Sequence, residues 1–456
     1  MDKNKKRQEL FESMPIKQAV WKLSIPTIAS MIVTLFYNLA DTFFVGQTND
    51  PAQVAAVSLT MPLFMLLMSL GNLFGLGGGT AISRTLGEKK YDDVKHISSF
   101  CFYGALSVGI VAGSLILIFM PKIIPLTGAS ENTYDLVKTY LTYIAMGAPF
   151  IIISNAFGNI VRSVGSAKSA MFGMMLGTVT NIVLDPIMIL SLDMGVAGAA
   201  VATIIGNAVA TVYYIILLTR KNSLLSVNIK DVRVESYIVS NVFKIGLPAS
   251  LNHVLMSVSN IIYNVFLGSY GDDPVAAMGI AMKSGMVMVM LYLGVTMGVQ
   301  PLIGYNFGAK NYKRMKAAIR YILGVVLCVG TVLVILFLTF SEQIVTTFID
   351  DAEIIAIGSR MLRIQASSGV LLGIMFVSMS TLQAMGKSMP SLILSISRQG
   401  LVFLPVAFFA NKIWGLDGLM WAQPAADIFS VVLSAIFVLT VIKSLHHNEH
   451  EHQNEV

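Results

Sequence analysis

The sequence predicts an all-α membrane protein of twelve transmembrane helices arranged as two six-helix lobes. Three observations carry that prediction: apolar runs of about 20 residues, basic residues gathered on one side of the membrane, and a repeat that matches one half of the chain to the other.

The composition comes first. Of 456 residues, 55% are hydrophobic and 12% are charged, whereas soluble domains carry about a quarter charged residues. Runs such as 25–45, 171–190 and 196–218 are long enough to cross about 30 Å of hydrocarbon as helices. The strands of a membrane barrel would alternate apolar and polar over about ten residues instead. The charged start, MDKNKKRQELFESM, has no apolar core or small-residue cleavage site, so it is expected to be a retained cytosolic tail. Cys101 and Cys328 each sit inside an apolar run, which points to neither a disulfide nor a cysteine metal site.

The apolar pattern places spans at 16–46, 54–84, 94–120, 133–162, 168–190, 195–219, 237–269, 275–307, 314–340, 353–384, 389–411 and 416–443. An even number of spans leaves both termini on one side. That side collects Lys5, Lys6, Arg7, Lys89, Lys90, Lys95, Lys168, Arg220, Lys221, Lys310, Lys313 and Arg314. The opposite side holds Lys122 and Lys412 among acids such as Asp50, Glu131, Asp193, Asp272 and Asp350. The positive-inside rule therefore puts both termini in the cytoplasm of a cell-membrane protein. The net charge of +6 is spent on this asymmetry, and no nucleic-acid partner is expected.

The repeat divides the chain. WKLSIPTIASMIVTLFYNLADTFFVG (21–46) matches FKIGLPASLNHVLMSVSNIIYNVFLG (243–268), with Pro26 on Pro248 and Gly46 on Gly268. ISRTLGEKKY (82–91) matches IGYNFGAKNY (303–312), and RSVGSAKS (162–169) matches QAMGKSMP (383–390). Six spans per half give the halves one orientation, related by an axis along the membrane normal, an arrangement typical of alternating-access transporters. The expected organisation is a cytosolic tail (1–15), an N-lobe (16–220), a cytosolic linker (221–239), a C-lobe (240–443) and a cytosolic C-terminal tail (444–456). The glycines Gly75, Gly77, Gly78 and Gly79 lie in an apolar span without a following Lys-Ser/Thr, so they read as helix-packing positions and not as a phosphate loop.

YNLADTFFVG (37–46), NLFGLGGGTAISRTLG (72–87), NIVLDP (181–186), GVAGAAVAT (195–203) and GVQPLIGYNFGAKNY (298–312), in this order and spacing, resemble the multidrug and toxic compound extrusion (MATE) family, nearest its MepA-like branch. The resemblance implies a V-shaped pair of lobes that exports organic cations against an inward flux of H⁺ or Na⁺, with no cofactor. A lipid or lipid-linked oligosaccharide flippase of the same superfamily is the alternative. The major facilitator reading fails because the loop between spans two and three is RTLGEKKYDDVK, without that family's clustered arginines.

Carboxylates inside spans are costly and mark functional sites. Asp41 and Asp185 lie about 24 Å and 23 Å along their spans, and Thr203 on the descending sixth span reaches a similar depth. Asn181 is one helical turn before Asp185 on the same face, and Pro186 leaves the carbonyl of Ile182 without its usual donor. Asp41, Asn181, Asp185 and Thr203 thus form a candidate cation-coupling cluster, with Na⁺ possible at the two acids. These positions match the coupling cluster of family members that use the N-lobe. The family adds a fourth-span Asn, for which Asn155 and Asn159 are both candidates. Tyr37, Met31, Met65 and Met175 are the expected substrate contacts, on a soft, apolar surface suited to varied organic cations. In the second half, Lys283, Arg398 and Asp427 read as buried charges, with Lys283 or Arg398 paired to Asp427. The tail HHNEHEH (446–452) reads as solvated. No enzymatic cluster is expected, and the partners are small-molecule cations and the lipid bilayer around a monomer.

Overall fold

The computed structural model describes residues 3–48, 50–220 and 223–454, with side chains throughout except at 3, 4, 38, 39, 41, 42 and 444–454. Twelve spans follow one another: α1 (Ile16–Gly46), α2 (Pro51–Gly87), α3 (Tyr91–Leu126), α4 (Glu131–Ser163), α5 (Ala167–Asp185, extended by the π turn Pro186–Ser191), α6 (Gly195–Leu218), α7 (Ser236–Gly268), α8 (Asp272–Gly308), α9 (Tyr312–Thr339), α10 (Ala352–Ser367 with Gly369–Ala384), α11 (residues 388–414) and α12 (residues 416–454). No strand occurs among the described residues.

The last two spans are one continuous apolar stretch by composition, Ser388–Lys443, of 56 residues. As a single helix that stretch would measure about 84 Å, far more than a bilayer accommodates. Gly415 breaks it, with φ 59° and ψ −136°. α10 is bent by 46° between its two halves. The product is an integral, multi-pass membrane protein.

Short connections between spans are fixed by local caps. Asp50 accepts from the Ala52 amide at 2.9 Å with Pro51 at the first helical position, Ser130 and Thr133 form a reciprocal capping box, and Asp351 accepts from the amides of Glu353 and Ile354. Each such cap contributes about 1 kcal/mol to its helix start. α7 is helical from Ser236, one residue before the expected start of that span. Its preceding residues lie against α3, where the Ser98 and Ser99 hydroxyls donate to the Ser226 carbonyl and the Tyr103 hydroxyl to that of Val227.

The two halves meet through α1 against α8 and α2 against α7, and they meet at the end that carries Lys89 and Lys310. Ser69 and Ser250 exchange hydrogen bonds, each hydroxyl 2.8 Å from the other's carbonyl oxygen. Ser24 donates to the Val295 carbonyl and Trp21 to the Tyr321 hydroxyl. A methyl group on Gly77 would collide with the Val242 carbonyl, and one on Gly78 with the sulfur of Cys101. The glycine run in α2 is therefore a packing device, letting one helix approach α7 on one side and α3 on the other. At the tips, a Cβ on Gly87 would strike the Tyr305 carbonyl and one on Gly308 the Arg84 carbonyl, a pair of contacts related by the internal repeat. At the opposite end, a Cβ added to Gly46, Gly268, Gly271 or Gly279 would meet nothing within 4 Å among the described residues. Among the described residues, the hydrogen bonds between α1–α2 and the second half fall at Trp21, Ser24, Met65, Ser69, Asn72 and Arg84, so the lobes are sealed toward the basic end and share no such bond nearer the acidic one.

The N-terminal segment packs under the seal. Residues Lys3–Gln8 and Glu9–Ser13 are helical, and Leu10 and Phe11 are buried. The Phe11 ring stacks on Tyr305 with centroids 4.7 Å apart, and the Tyr305 hydroxyl donates to Glu12 at 2.6 Å. Arg314 donates to the carbonyls of Leu10, Phe11 and Met14. On the first half, Gly165 has φ +79° and leaves room for the Phe11 ring, which would lie 3.0 Å from a Cβ there. Both cysteines are free thiols, Cys101 buried and Cys328 exposed.

Candidate functional site

α5 and α6 are held unusually close by Gly177 and Gly206, and that closeness builds the site. Four residues beyond Gly177, Asn181 faces Thr203 on α6. With the Asn181 amide oriented so that donors meet acceptors, its nitrogen donates to Asp185 Oδ2 at 3.0 Å. Its oxygen then accepts from Thr203 Oγ1 at 3.3 Å and from the Thr203 amide at 2.9 Å. Asp185 is 0% exposed, and Asn181 and Thr203 are each 3% exposed. Pro186 ends the regular helix just after the acid, and the chain continues as the π turn Pro186–Ser191, as expected where a ladder donor is missing.

The cluster continues through side chains that the sequence did not single out. Asn207, one turn beyond Thr203, donates to the Thr203 carbonyl at 2.8 Å and accepts from the Ser154 hydroxyl at 2.6 Å. α4 therefore reaches the cluster through Ser154. Asn155 instead donates to the Met68 carbonyl of α2 at 2.7 Å, and Asn159 accepts from Arg162 at 3.0 Å. Among the described residues, the hydrogen bonds of Asn155 and Asn159 run to Met68, Asn155 and Arg162 and not to Asp185, Asn181 or Thr203. The helical backbone of α1 passes alongside α5, with the Thr34 hydroxyl 3.6 Å from the Met174 sulfur. The side chain of Asp41 lies outside the described residues. No group of three or more His, Cys, Asp or Glu able to hold a metal occurs among the described residues, and the side chains of 446–452 lie outside them.

A model of the MatE family matches residues 26–187 and again 248–409. The chain belongs to the MatE family. The two matches are offset by 222 residues, the same offset as the repeat in the first spans of each half. Among its relatives, the multidrug export protein MepA of Staphylococcus saprophyticus subsp. saprophyticus is 34% identical over 428 residues, covering 94% of both chains. MepA of Staphylococcus aureus is 34% identical over 431 residues with the same coverage. Among solved structures, one described as the outward-facing conformation of a multidrug resistance MATE family transporter of the MOP superfamily superposes with a TM-score of 0.92. It is 26% identical, over 98% of this chain and 100% of that one.

In this MatE protein the second half holds a different buried acid. Asp427 on α12 is 2% exposed. Arg398 Nε lies 2.9 Å from its Oδ1, Gln423 donates to the same oxygen at 3.0 Å, and Ser368 donates to Oδ2 at 2.9 Å. Arg398 sits in a π turn, Ser397–Leu401, which swings it toward α12. Of the two cations expected as partners, Arg398 is the one used. Lys283 is not buried as expected: it is exposed on α8.

The expected substrate contacts are scattered over two helices of the cleft wall and one behind it. Met65 on α2 is 46% exposed and accepts a hydrogen bond from Ser257 of α7 at 3.7 Å, across the gap between halves. Met31 and Tyr37 on α1 and Met175 on α5 are half-buried. His253 reaches Asn72 at 3.1 Å between α7 and α2, a polar contact where the repeat places Met31 and Leu293 on the other side.

Proposed function

We propose that this protein is a secondary active exporter of amphipathic organic cations, working by alternating access in the cell membrane. Inward movement of a coupling cation, H⁺ or Na⁺, through the first lobe drives it. The observation that carries this reading is the identity of 34% over 94% of the chain to proteins named multidrug export proteins. The sealed basic end and parted acidic end support it, since with both termini cytoplasmic this is an outward-open form. The likeness to an outward-facing transporter agrees.

The coupling site in this reading is Asp185 with Asn181 and Thr203, joined by Asp41 from α1. Seven residues separate Thr34 from residue 41, and seven separate Met174 from Asn181. Because α1 and α5 run the same way, the Thr34–Met174 contact supports a register in which residue 41 is level with Asn181. A carboxylate buried this deeply is costly to leave charged. A proton or Na⁺ arriving from outside neutralises it, and release to the cytoplasm restores the charge. A cationic drug favours the opposite, charged state of the lobe, binding along Tyr37, Met31, Met65 and Met175. Ion and drug then bias the two conformations through their different affinities for each. The lobes are 16–220 and 240–443, and the working unit is a monomer.

The test uses reconstituted vesicles loaded with a fluorescent organic cation, under an imposed pH gradient and then an imposed Na⁺ gradient. Efflux driven by one gradient supports the exporter and names the ion. Movement of a labelled lipid with no cation efflux under either gradient replaces this reading with a flippase.

A further inference from the structure

At the sealed end a crevice of about 650 Å³ opens between the halves, bordered by the α2–α3 turn, the start of α7 and the α8–α9 turn. Its charged groups are Arg84, Glu88, Lys89, Lys90 and Lys310. Glu88 is already committed, with its carboxylate 2.7 Å from Lys90 Nζ. Arg84 is held in place by neutral acceptors, Thr80 O at 3.3 Å and Asn241 Oδ1 at 3.4 Å. Among the described residues, Arg84, Lys89 and Lys310 form no ion pair, and the crevice sets these cations and Lys90 against the single carboxylate of Glu88, which leaves it with a net positive charge beside Tyr237 and Phe307.

The backbone of the two lysines is the second observation. Four helices end at this face in the same motif, where the residue just past the helix is left-handed. After α4 and α10 that residue is glycine, Gly165 with φ 79° and Gly386 with φ 73°. After α2 and α8 it is Lys89 with φ 62° and Lys310 with φ 55°. The hydrogen bonds close in the same way in both: Lys90 N to Thr85 O and Asn311 N to Asn306 O span the last turn. A side chain in this conformation costs about 1–2 kcal/mol relative to a right-handed residue, a cost that glycine escapes. The protein meets that cost at the two helix ends that border the crevice, and at repeat-related positions, once from each half. Packing gives no reason for it, because both side chains are exposed.

From this geometry we infer that the crevice is a binding site for a phosphate-bearing anion, either a phospholipid headgroup or a free phosphate compound. Arg84 supplies a fixed planar donor, and the two lysines close on the anion from opposite halves. A ligand held by Lys89 and Lys310 together ties the halves at the sealed end, and so favours that conformation over one in which they part. The same charge repels organic cations, which keeps this site separate from the transport path.

The experiment uses the purified full chain in detergent, with thermal unfolding followed at constant ionic strength. Inorganic phosphate is titrated against chloride in one arm, and phosphatidylglycerol against phosphatidylcholine in mixed micelles in the other. The variant is Lys89→Asn/Lys310→Asn, because Asn tolerates the left-handed conformation and keeps the turns. Without ligand the variant should melt no lower than wild type. In wild type at least one probe should raise the melting temperature, and the variant should need about tenfold more of it or lose the shift. A shift with phosphatidylglycerol alone assigns a lipid headgroup, and a shift with inorganic phosphate assigns a free phosphate compound. No shift in wild type with either probe, or equal half-saturation in the variant, overturns the site.

Discussion

Gly177 and Gly206 face each other backbone to backbone: a methyl group on Gly177 would fall 2.7 Å from the Gly206 carbonyl oxygen, and one on Gly206 would fall 2.6 Å from that of Gly177. Such contacts are too short for any real side chain, so α5 and α6 can lie this close only because both positions lack one. The Asn181–Thr203 hydrogen bonds depend on that spacing. Gly206→Ala would also crowd Asn181, whose Cβ is 3.2 Å from the added methyl. Either alanine variant should lower thermal stability by about 1–3 kcal/mol, the usual range for overpacking. Gradient-driven efflux should fall further than yield, because the site is distorted as well as the fold. Normal efflux and melting in both variants would show that the helices relax freely.

Phe11 ties the N-terminal segment to the sealed end. Phe11→Ala empties a buried aromatic site, with an expected loss of about 3–5 kcal/mol. Unfolding followed by tyrosine and tryptophan fluorescence in detergent would report it. A variant that melts with wild type would mean that the segment rests on the surface without contributing to stability.

The Arg398–Asp427 pair makes a prediction about which half-removal is harmful. Asp427→Asn leaves Arg398 without its counter-charge, at about 3–5 kcal/mol, and abundance in the membrane should drop. Arg398→Met/Asp427→Leu removes both charges and should recover most of that loss. If Asp427→Asn instead accumulates and melts normally while transport disappears, the acid acts in the mechanism and not in the fold.

Orientation is open to labelling. With Cys328 replaced by Ser, cysteines at the exposed positions Asp272 and Asp350 should react with a membrane-impermeant maleimide on intact cells. One at Lys310 should react only after lysis. Labelling of Lys310Cys from outside would reverse the topology, and with it the direction of every step proposed above.

The spans and the repeat were legible in the sequence because they depend on composition and period, which any stretch of chain carries locally. Asn181 and Asp185 were legible as a helical i, i+4 pair, and Thr203 as a matter of equal depth. Ser154 and Asn207 were not, because their bond depends on the rotation of α4 and α6 about their own axes, which hydropathy leaves undetermined when both helices are apolar all round. Lys283 looked buried because its neighbours are apolar, but neighbours such as Met282 and Val287 are themselves exposed. The N-terminal segment was expected as a retained cytosolic tail, and its packing was not foreseen. Its buried residues, Leu10 and Phe11, meet Tyr305 and Arg314 from the far half of the chain, a meeting that only the folded chain reveals.

The coupling role of Asp185 is the centre of the functional reading, and one substitution tests it. Asp185→Asn is close in shape and can still hydrogen-bond to Asn181, so folding and membrane insertion should survive. It cannot carry the charge that a proton or Na⁺ would neutralise. Asp41→Asn should behave alike, and Thr203→Ala more mildly, since it removes one oxygen and no charge. The direct measurement is the initial rate of fluorescent-cation efflux from vesicles with equal amounts of wild-type and Asp185→Asn protein under the same imposed gradient. Efflux by the variant at the rate of protein-free vesicles is the expected result, whereas efflux at the wild-type rate would contradict the first-lobe coupling site.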